Sequence, residues 1–334
     1  MKHLFSKHGV VSVPALACFA LLALLPAVPA LSGEGNFLLG VLTRMMVFGI
    51  AAVGLNLVLG FGGMVSMGHA MYVGIGAYAV ALLSYHGMTA LWLHVLVGLA
   101  AGIPLAIAVG YVCVRTSGMA FIMITLAIAQ MMYFAAVSLK KYGGDDGLPV
   151  AQRSTLGWLD LDQPLVLYYL VLVVLAMSCF AVFRLVRSSF GMVLQGSKQN
   201  DRRALSLGLP TARYKVVAYA LSAQFCVVAG VLLANLTRFA APSFMSWIAS
   251  GDLILMCVLG GLSSVVGPLV GAIAFVGIEE LLTNFPAVLP GAATEAIRTY
   301  WLGLFGVFIV AAVMLLKKGL YGALVMEVGH GRRS

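Results

Sequence analysis

The polar groups in this chain that could do chemistry are few, and most of them stand beside glycine. His69 sits near the end of the run Gly60-Phe61-Gly62-Gly63-Met64-Val65-Ser66-Met67-Gly68-His69-Ala70, and Asn56 precedes that run by one turn. An imidazole among residues that free the backbone from helical geometry has two readings. It hydrogen-bonds carbonyls released by a broken helix, or it serves a proton or solute directly. Asn56 reads either as glue between packed helices or as a contact for something passing between them. A second run, Leu259-Gly260-Gly261-Leu262-Ser263-Ser264, echoes the Gly-Gly-x-x-Ser pattern of residues 62–66. Gln130 places a neutral amide in an otherwise apolar stretch. There is no paired-carboxylate, Cys/His or H-E-x-x-H constellation, so no catalytic or metal-ligating residue is assigned. There is also no G-x-x-x-x-G-K-[S/T] loop to cradle phosphates. The five cysteines (Cys18, Cys113, Cys179, Cys226, Cys257) lie in apolar segments and read as small buried hydrophobes.

The elements that must position these groups follow from composition. Of 334 residues 62% are hydrophobic and 9% charged, an imbalance that no water-facing surface can carry. Lipid is the solvent. About twenty apolar residues cross a bilayer as a helix, which predicts about ten transmembrane helices in an all-α membrane protein. They fall at 10–31, 37–59, 64–84, 90–114, 118–138, 165–186, 214–236, 247–262, 264–282 and 298–316. The glycine density of 60–78 and 258–272 predicts broken or re-entrant segments there. The first stretch also resembles a secretory leader with its Val28-Pro29-Ala30, and is taken as helix 1.

Charge tests that count. With ten crossings and both ends cytoplasmic, fourteen of the twenty basic residues fall inside. These are Lys2, Lys7, Arg115, Arg184, Arg187, Lys198, Arg202, Arg203, Arg213, Lys215, Lys317, Lys318, Arg332 and Arg333. The net charge of +9 is thereby spread over short loops rather than gathered into a nucleic-acid patch, and no nucleic acid is expected as a partner. The chain divides into residues 1–36 (tail and first helix), 37–320 (the main membrane domain) and 321–334 (a basic tail).

The longest inside segment, 187–213, carries helix signals of its own. Ser188-Ser189 can cap a helix starting near Phe190, and Asn200 or Asp201 can cap a second running to Leu205–Leu207. Gly208 then stands at the stop position, with Pro210 beyond it. Such a pair forms either a docking surface for a soluble partner or an anchor on anionic lipid. On the opposite side, 139–163 is the longest loop, with the acidic turn Gly143-Gly144-Asp145-Asp146-Gly147 and Trp158-Leu159 as an interface anchor. It is a docking rim or a solvated turn. Arg44 is expected to snorkel outward, Asp252 to meet the N-terminal dipole of its helix, and Glu279-Glu280 to stay hydrated or meet a partner.

A resemblance joins these pieces. Phe190-Gly191, Asn200-Asp201-Arg202-Arg203-Ala204, Leu207 through Lys215 and Ala220-Leu221-Ser222-Ala223 resemble the coupling region of LivM-type permeases of branched-chain amino acid ABC importers. Residues 60–70, Ile124 through Gln130, Gly143 through Leu148, and the Gly260, Gly267-Pro268, Gly271 series resemble further family segments in the same order. The resemblance implies a permease core similar to that of cobalamin- and ribose-type importers. It implies a second permease subunit, two ATP-binding cassette ATPase subunits that hold ATP and Mg, and a periplasmic solute-binding protein. This chain itself is then expected to bind no cofactor. ATPase coupling would rest on Phe190, Gly191, Lys198, Asn200, Asp201, Arg202, Arg203, Ala204 and Gly208. The translocation path or gate would involve Asn56, Ser66, Gly68, His69, Gln130, Gly260 and Gly261, and Asp145 and Asp146 would receive the binding protein. The chain departs from the family at Lys198-Gln199, Gln195 and Gln130, where relatives often carry Arg-Glu, Arg and Glu. Those replacements leave the solute open between branched-chain amino acids and urea, amide or aromatic compounds. An ion-coupled secondary transporter is the rival, but it wants a carboxylate or histidine relay at the bilayer centre.

Overall fold

The computed structural model describes residues 13–24, 26, 35–156, 159–262, 264–283, 299–315 and 319–322. Trp158, the terminal lysines Lys2 and Lys7, Arg298 and the basic tail from 323 lie outside them. Among the described residues, twelve α-helices carry the fold: α1 Val13–Leu24, α2 Gly35–Asn56, α3 His69–Tyr85, α4 Leu91–Cys113, α5 Met119–Ser138, α6 Pro164–Arg187, α7 Ser189–Gln199, α8 Asp201–Ser206, α9 Thr211–Thr237, α10 Trp247–Gly260, α11 Gly267–Thr283 and α12 Trp301–Leu315.

The all-α expectation holds, but the helices are not uniform rods. Among the described residues, six stretches are long and apolar enough to cross a bilayer, namely those containing α2, α4, α5, α6, α9 and α12. The other predicted crossings are shorter: α1 has 12 residues, α3 17, α10 14 and α11 17. The glycine-rich breaks explain part of this. α2 ends in a π-turn, Leu57–Phe61, where the Gly62 N–H reaches back to the Leu57 carbonyl at 3.0 Å. The chain then folds inward, so that α3 starts at His69 beside Ser222, about three turns into α9. A helix that begins roughly 16 Å inside needs fewer residues to reach the far side.

The centre of the bundle is α2 and α9. α9 packs on α2, α3 and α4, while α2 also meets α6 and α11. In hydrocarbon the driving force is close packing rather than exclusion of water, so small residues mark the tightest crossings. A Cβ on Gly230 of α9 would run into the backbone of Val73 in α3, and one on Gly76 would run into the backbone of Val227. Here glycine is required by backbone-to-backbone approach. On the outer faces, Val173, Met177 and Phe180 of α6 and Val307, Val310 and Met314 of α12 are exposed. Trp92 and Trp247 are exposed at the first residues of α4 and α10, both at the end away from α7 and α8, as interface aromatics should be.

At that same end the acidic loop is more structured than a free turn. Leu148-Pro149 pairs antiparallel with Phe239-Ala240, tying the loop to the α9–α10 connection. Beneath it, buried His94 bonds Ser154 Oγ at 2.7 Å and the Met88 carbonyl at 2.8 Å, and the Ser154 N–H donates to Asn235 Oδ1. This clasp links α4 to α9 through a loop residue sixty positions from His94, a distance no local pattern reports.

Candidate functional site

The helix signals of the 187–213 segment are realised. Ser188 is the N-cap of α7 and its hydroxyl accepts from the Gly191 N–H, while Asn200 caps α8 by accepting from Arg203 at 3.0 Å. Gly208 adopts φ +79°. The Leu209 N–H bonds the Ala204 carbonyl and the Gly208 N–H bonds the Leu205 carbonyl, the paired closure of a Schellman stop. Asp201 holds Lys215 of α9 at 3.0 Å.

Each end of this elbow is seated on the bundle. A Cβ at Gly191 would strike the Leu185 and Val186 carbonyls at the end of α6, so only glycine lets α7 turn this sharply. Gln195 donates to the Val186 carbonyl at 3.1 Å and the Gly191 carbonyl at 3.2 Å, fixing the bend with a neutral side chain. Phe190 lies against Tyr214 with ring centroids 5.6 Å apart. Leu194 packs in a small apolar cluster with Leu57 and Ala218, so α7 touches both the π-turn and α9. The opposite face presents Met192, Arg202, Arg203, Leu205 and Leu207 to the exterior.

Lys198 belongs to the set expected to carry ATPase coupling. Its Nζ turns inward and donates to the Gly60 carbonyl at 2.6 Å. That carbonyl belongs to the closing π-turn, where helix-end acceptors lack intrahelical partners, and a lysine is well suited to take one. One turn earlier, Asn56 Nδ2 donates to the Ser264 carbonyl at 2.9 Å in the α10–α11 connection. The two glycine-rich runs that echo each other in sequence are therefore neighbours in space, and Lys198 connects α7 to the first of them. Gly260 and Gly261 sit at that junction, where Gly260 abuts the Gly267 backbone and Gly261 turns with φ +108°.

His69 is fully buried, and its partners are hydroxyls rather than the carbonyls expected. Nδ1 lies 2.9 Å from Ser66 Oγ and Nε2 lies 3.0 Å from Ser222 Oγ. Hydrogen counting orders the chain. Ser222 spends its one proton on the Gly54 carbonyl at 2.7 Å, so toward His69 it accepts. Nε2 then carries the ring proton, and Ser66 donates to Nδ1 while accepting from the Gly68 N–H. A neutral imidazole satisfies every partner and bridges α3, α9, the end of α2 and the break. Tyr219 packs edge-on against the ring at 5.0 Å. The break is tied further by Thr125 Oγ1 accepting from Met67 N and Ser250 Oγ accepting from Ala70 N. Ser222 and Thr125 stand inside the Ala220–Ala223 and Ile124–Gln130 segments and are legible as part of them; Ser250 carries no signal in the sequence.

The structure gathers Asn56, Ser66, Gly68, His69, Gly260 and Gly261 around this double break. Gln130 stands apart, more than a turn further along α5 from Thr125, with its buried Nε2 lacking a hydrogen-bond partner among the described residues. Asp145 and Asp146 are exposed at the opposite end of the molecule. Two expectations are corrected. Arg44 does not snorkel alone, because its Nη2 lies 3.2 Å from Glu279 Oε1 of α11. Asp252 does not open its helix: Ser246 caps α10, and Asp252 lies more than a turn inside.

The family model for the permease component of the branched-chain amino acid transport system matches residues 37–315. The chain belongs to this permease family. The permease is 29% identical over 294 residues to the high-affinity branched-chain amino acid transport system permease protein LivM of Escherichia coli K12, covering 80% of this chain and 68% of that one. It is 28% identical over 298 residues to LivM of Salmonella typhimurium, covering 81% and 69%. It is also 24% identical over 257 residues to the LivH permease protein of Salmonella typhimurium, covering 71% and 82%. No solved structure matches. The matched range takes in both breaks and the whole α7–α8 elbow of the permease.

Removing the imidazole has a defined cost. In His69→Leu the Ser66 hydroxyl loses its acceptor and Ser222 loses a donor inside the bundle, about 1–3 kcal/mol for groups left unpaired. The purified permease should unfold at a lower temperature in detergent, and His69→Gln, which can still donate and accept, should recover part of the loss. Equal midpoints for wild type and His69→Leu would remove the bridge from the account.

Proposed function

We propose that this permease is one of the two membrane subunits of an ATP-driven importer that moves branched-chain or related amino acids inward. In this reading the chain crosses the inner membrane about ten times with both ends cytoplasmic, in a core of the kind found in cobalamin- and ribose-type importers. Separate ATPase subunits bind ATP and Mg and dock on α7 and α8, a second permease completes the pathway, and a periplasmic binding protein delivers solute to the side bearing Asp145 and Asp146.

The observation that carries the proposal is the inward-turned Lys198. A lipid anchor needs its lysines in the headgroup layer. Here a helix with an exposed apolar and basic face is capped at both ends, wedged by Gly191, and bonded through Lys198 to the π-turn that ends α2. Force applied to the outer face of α7–α8 is thereby delivered to the two glycine breaks. Asn56 Oδ1 lies buried there without a hydrogen-bond partner among the described residues, an acceptor available to a second arrangement of the same segment.

The test is uptake into proteoliposomes containing the permease, its partner permease and both ATPases, with binding protein outside and ATP inside. Uptake of leucine, isoleucine or valine that requires hydrolysable ATP and binding protein is expected. Accumulation driven by this chain alone and an ion gradient would overturn the reading.

A further inference from the structure

Exposure along α2 changes at Phe48. Phe37, Val41, Arg44 and Phe48 form a partly exposed stripe at helical spacing, whereas every residue from Gly49 to Gly60 is buried. The stripe carries charge. Arg44 Nη2 lies 3.2 and 3.3 Å from the two oxygens of Glu279, and its Nη1 is 3.8 Å from Glu280 Oε2. Asp252 of α10 is close enough to feel both Glu279 and Arg44. Two carboxylates thus meet one guanidinium, with Asp252 nearby on α10, and the Arg44, Glu279 and Glu280 side chains are 37%, 24% and 22% exposed.

Depth makes this informative. Arg44 lies about two turns inside Phe37, roughly 10 Å along the axis, and Asp252 lies more than a turn inside the interface residue Trp247. Charged groups at such positions face the bundle interior or a water-filled cavity, because hydrocarbon solvates them poorly. The packing beneath supplies a floor: Cys257 Sγ approaches the Ala52 carbonyl at 3.2 Å, and Gly49 abuts Leu269. Along α2 this face is partly exposed from Phe37 to Phe48 and buried from Gly49 onward.

We propose that the face formed by Phe48, Arg44, Asp252 and Glu279 lines the outer, water-filled entrance of the transport route rather than lipid. Its orientation rests on the import reading above. Its accessibility does not.

The experiment uses right-side-out membrane vesicles holding the complete importer. Phe48→Cys and, separately, Leu255→Cys on the Asp252 side of α10 are treated with a charged, membrane-impermeant methanethiosulfonate. Val173→Cys on the outer face of α6 is the lipid-side control. Both route cysteines should react while the control does not, and loading the vesicles with ATP and vanadate should change their rates at least about tenfold as the entrance changes state. Route cysteines inert to the charged reagent but reactive to an apolar maleimide would overturn the inference, as would rates unchanged by trapping. Uptake by the same vesicles scores the import reading independently, so normal uptake with unreactive cysteines defeats this inference alone.

Discussion

Lys198→Met is expected to cut ATP-driven uptake about tenfold, within the 1–3 kcal/mol typical of coupling between distant sites, while the protein still inserts and assembles. The two consequences differ because the contact is small in stability and central in position. Lys198 is exposed apart from its tip, and a charge-assisted bond in that setting contributes only about 1 kcal/mol to folding. The apolar seat made by Leu57, Leu194, Ala218 and Phe190 remains to hold α7. What the variant loses is the polar tie between α7 and the Gly60 carbonyl. Methionine keeps the length and the stem packing but cannot donate. Measuring transport and ATP hydrolysis together in proteoliposomes gives the decisive ratio. Hydrolysis should continue while solute moved per ATP falls, and Lys198→Arg should retain much of that ratio. An unchanged ratio in Lys198→Met would mean that α7 drives the bundle through its apolar seat alone.

Gly230→Val is expected to prevent recovery of folded permease. The added carbon atoms would meet the Val73 carbonyl and Cα, which belong to backbone and cannot rotate away. Inserting atoms into a packed interior costs about 1–3 kcal/mol when side chains can adjust, and more when they cannot. Here α3 and α9 must separate, opening the crossing that holds Tyr72, Val73, Val227 and Val231 and disturbing the seat of His69. Gly230→Ala should already lower the unfolding temperature. Gly40→Ala on α2 is the contrast, since nothing lies within 4 Å of the new methyl group, and removing a helical glycine there gains up to about 1 kcal/mol. Size-exclusion profiles and thermal unfolding of the three variants test the point; a monodisperse, stable Gly230→Val protein would contradict the close crossing.

What the sequence made legible was local. The Ser188 and Asn200 caps and the Gly208 stop are written within a few residues of the helices they bound, so their chemistry could be read directly. The glycine-rich breaks were legible as breaks, because glycine density has a direct backbone meaning. Their geometry was not, since a π-turn at Leu57–Phe61 is selected by what packs around it. Helix α3 begins at His69 rather than at residue 64, because hydropathy counts apolar residues and cannot see that a helix starts inside the bundle. Tertiary polar pairs were least visible. Arg44 and Glu279 are 235 residues apart, and each alone reads as an ordinary interface charge. Lys198 stands out in the sequence for its departure from family pattern and for its place in the coupling segment, but its bond to a helix-end carbonyl 138 residues away has no local signal.

The central claim is that α7 and the first glycine break move as one unit, and a covalent tie can replace the lysine that joins them. A Cβ at Gly63 would lie 3.5 Å from the Lys198 Cβ, within disulfide reach. The native cysteines are buried or half-buried, leaving a new pair free to form. In Gly63→Cys/Lys198→Cys, with φ +70° at residue 63 adding equal strain to both redox states, solute moved per ATP should be low when the pair is reduced and rise toward wild type when it is oxidised. Uptake that falls or stays unchanged on oxidation would show that the helix and the break must move apart, and would contradict the account.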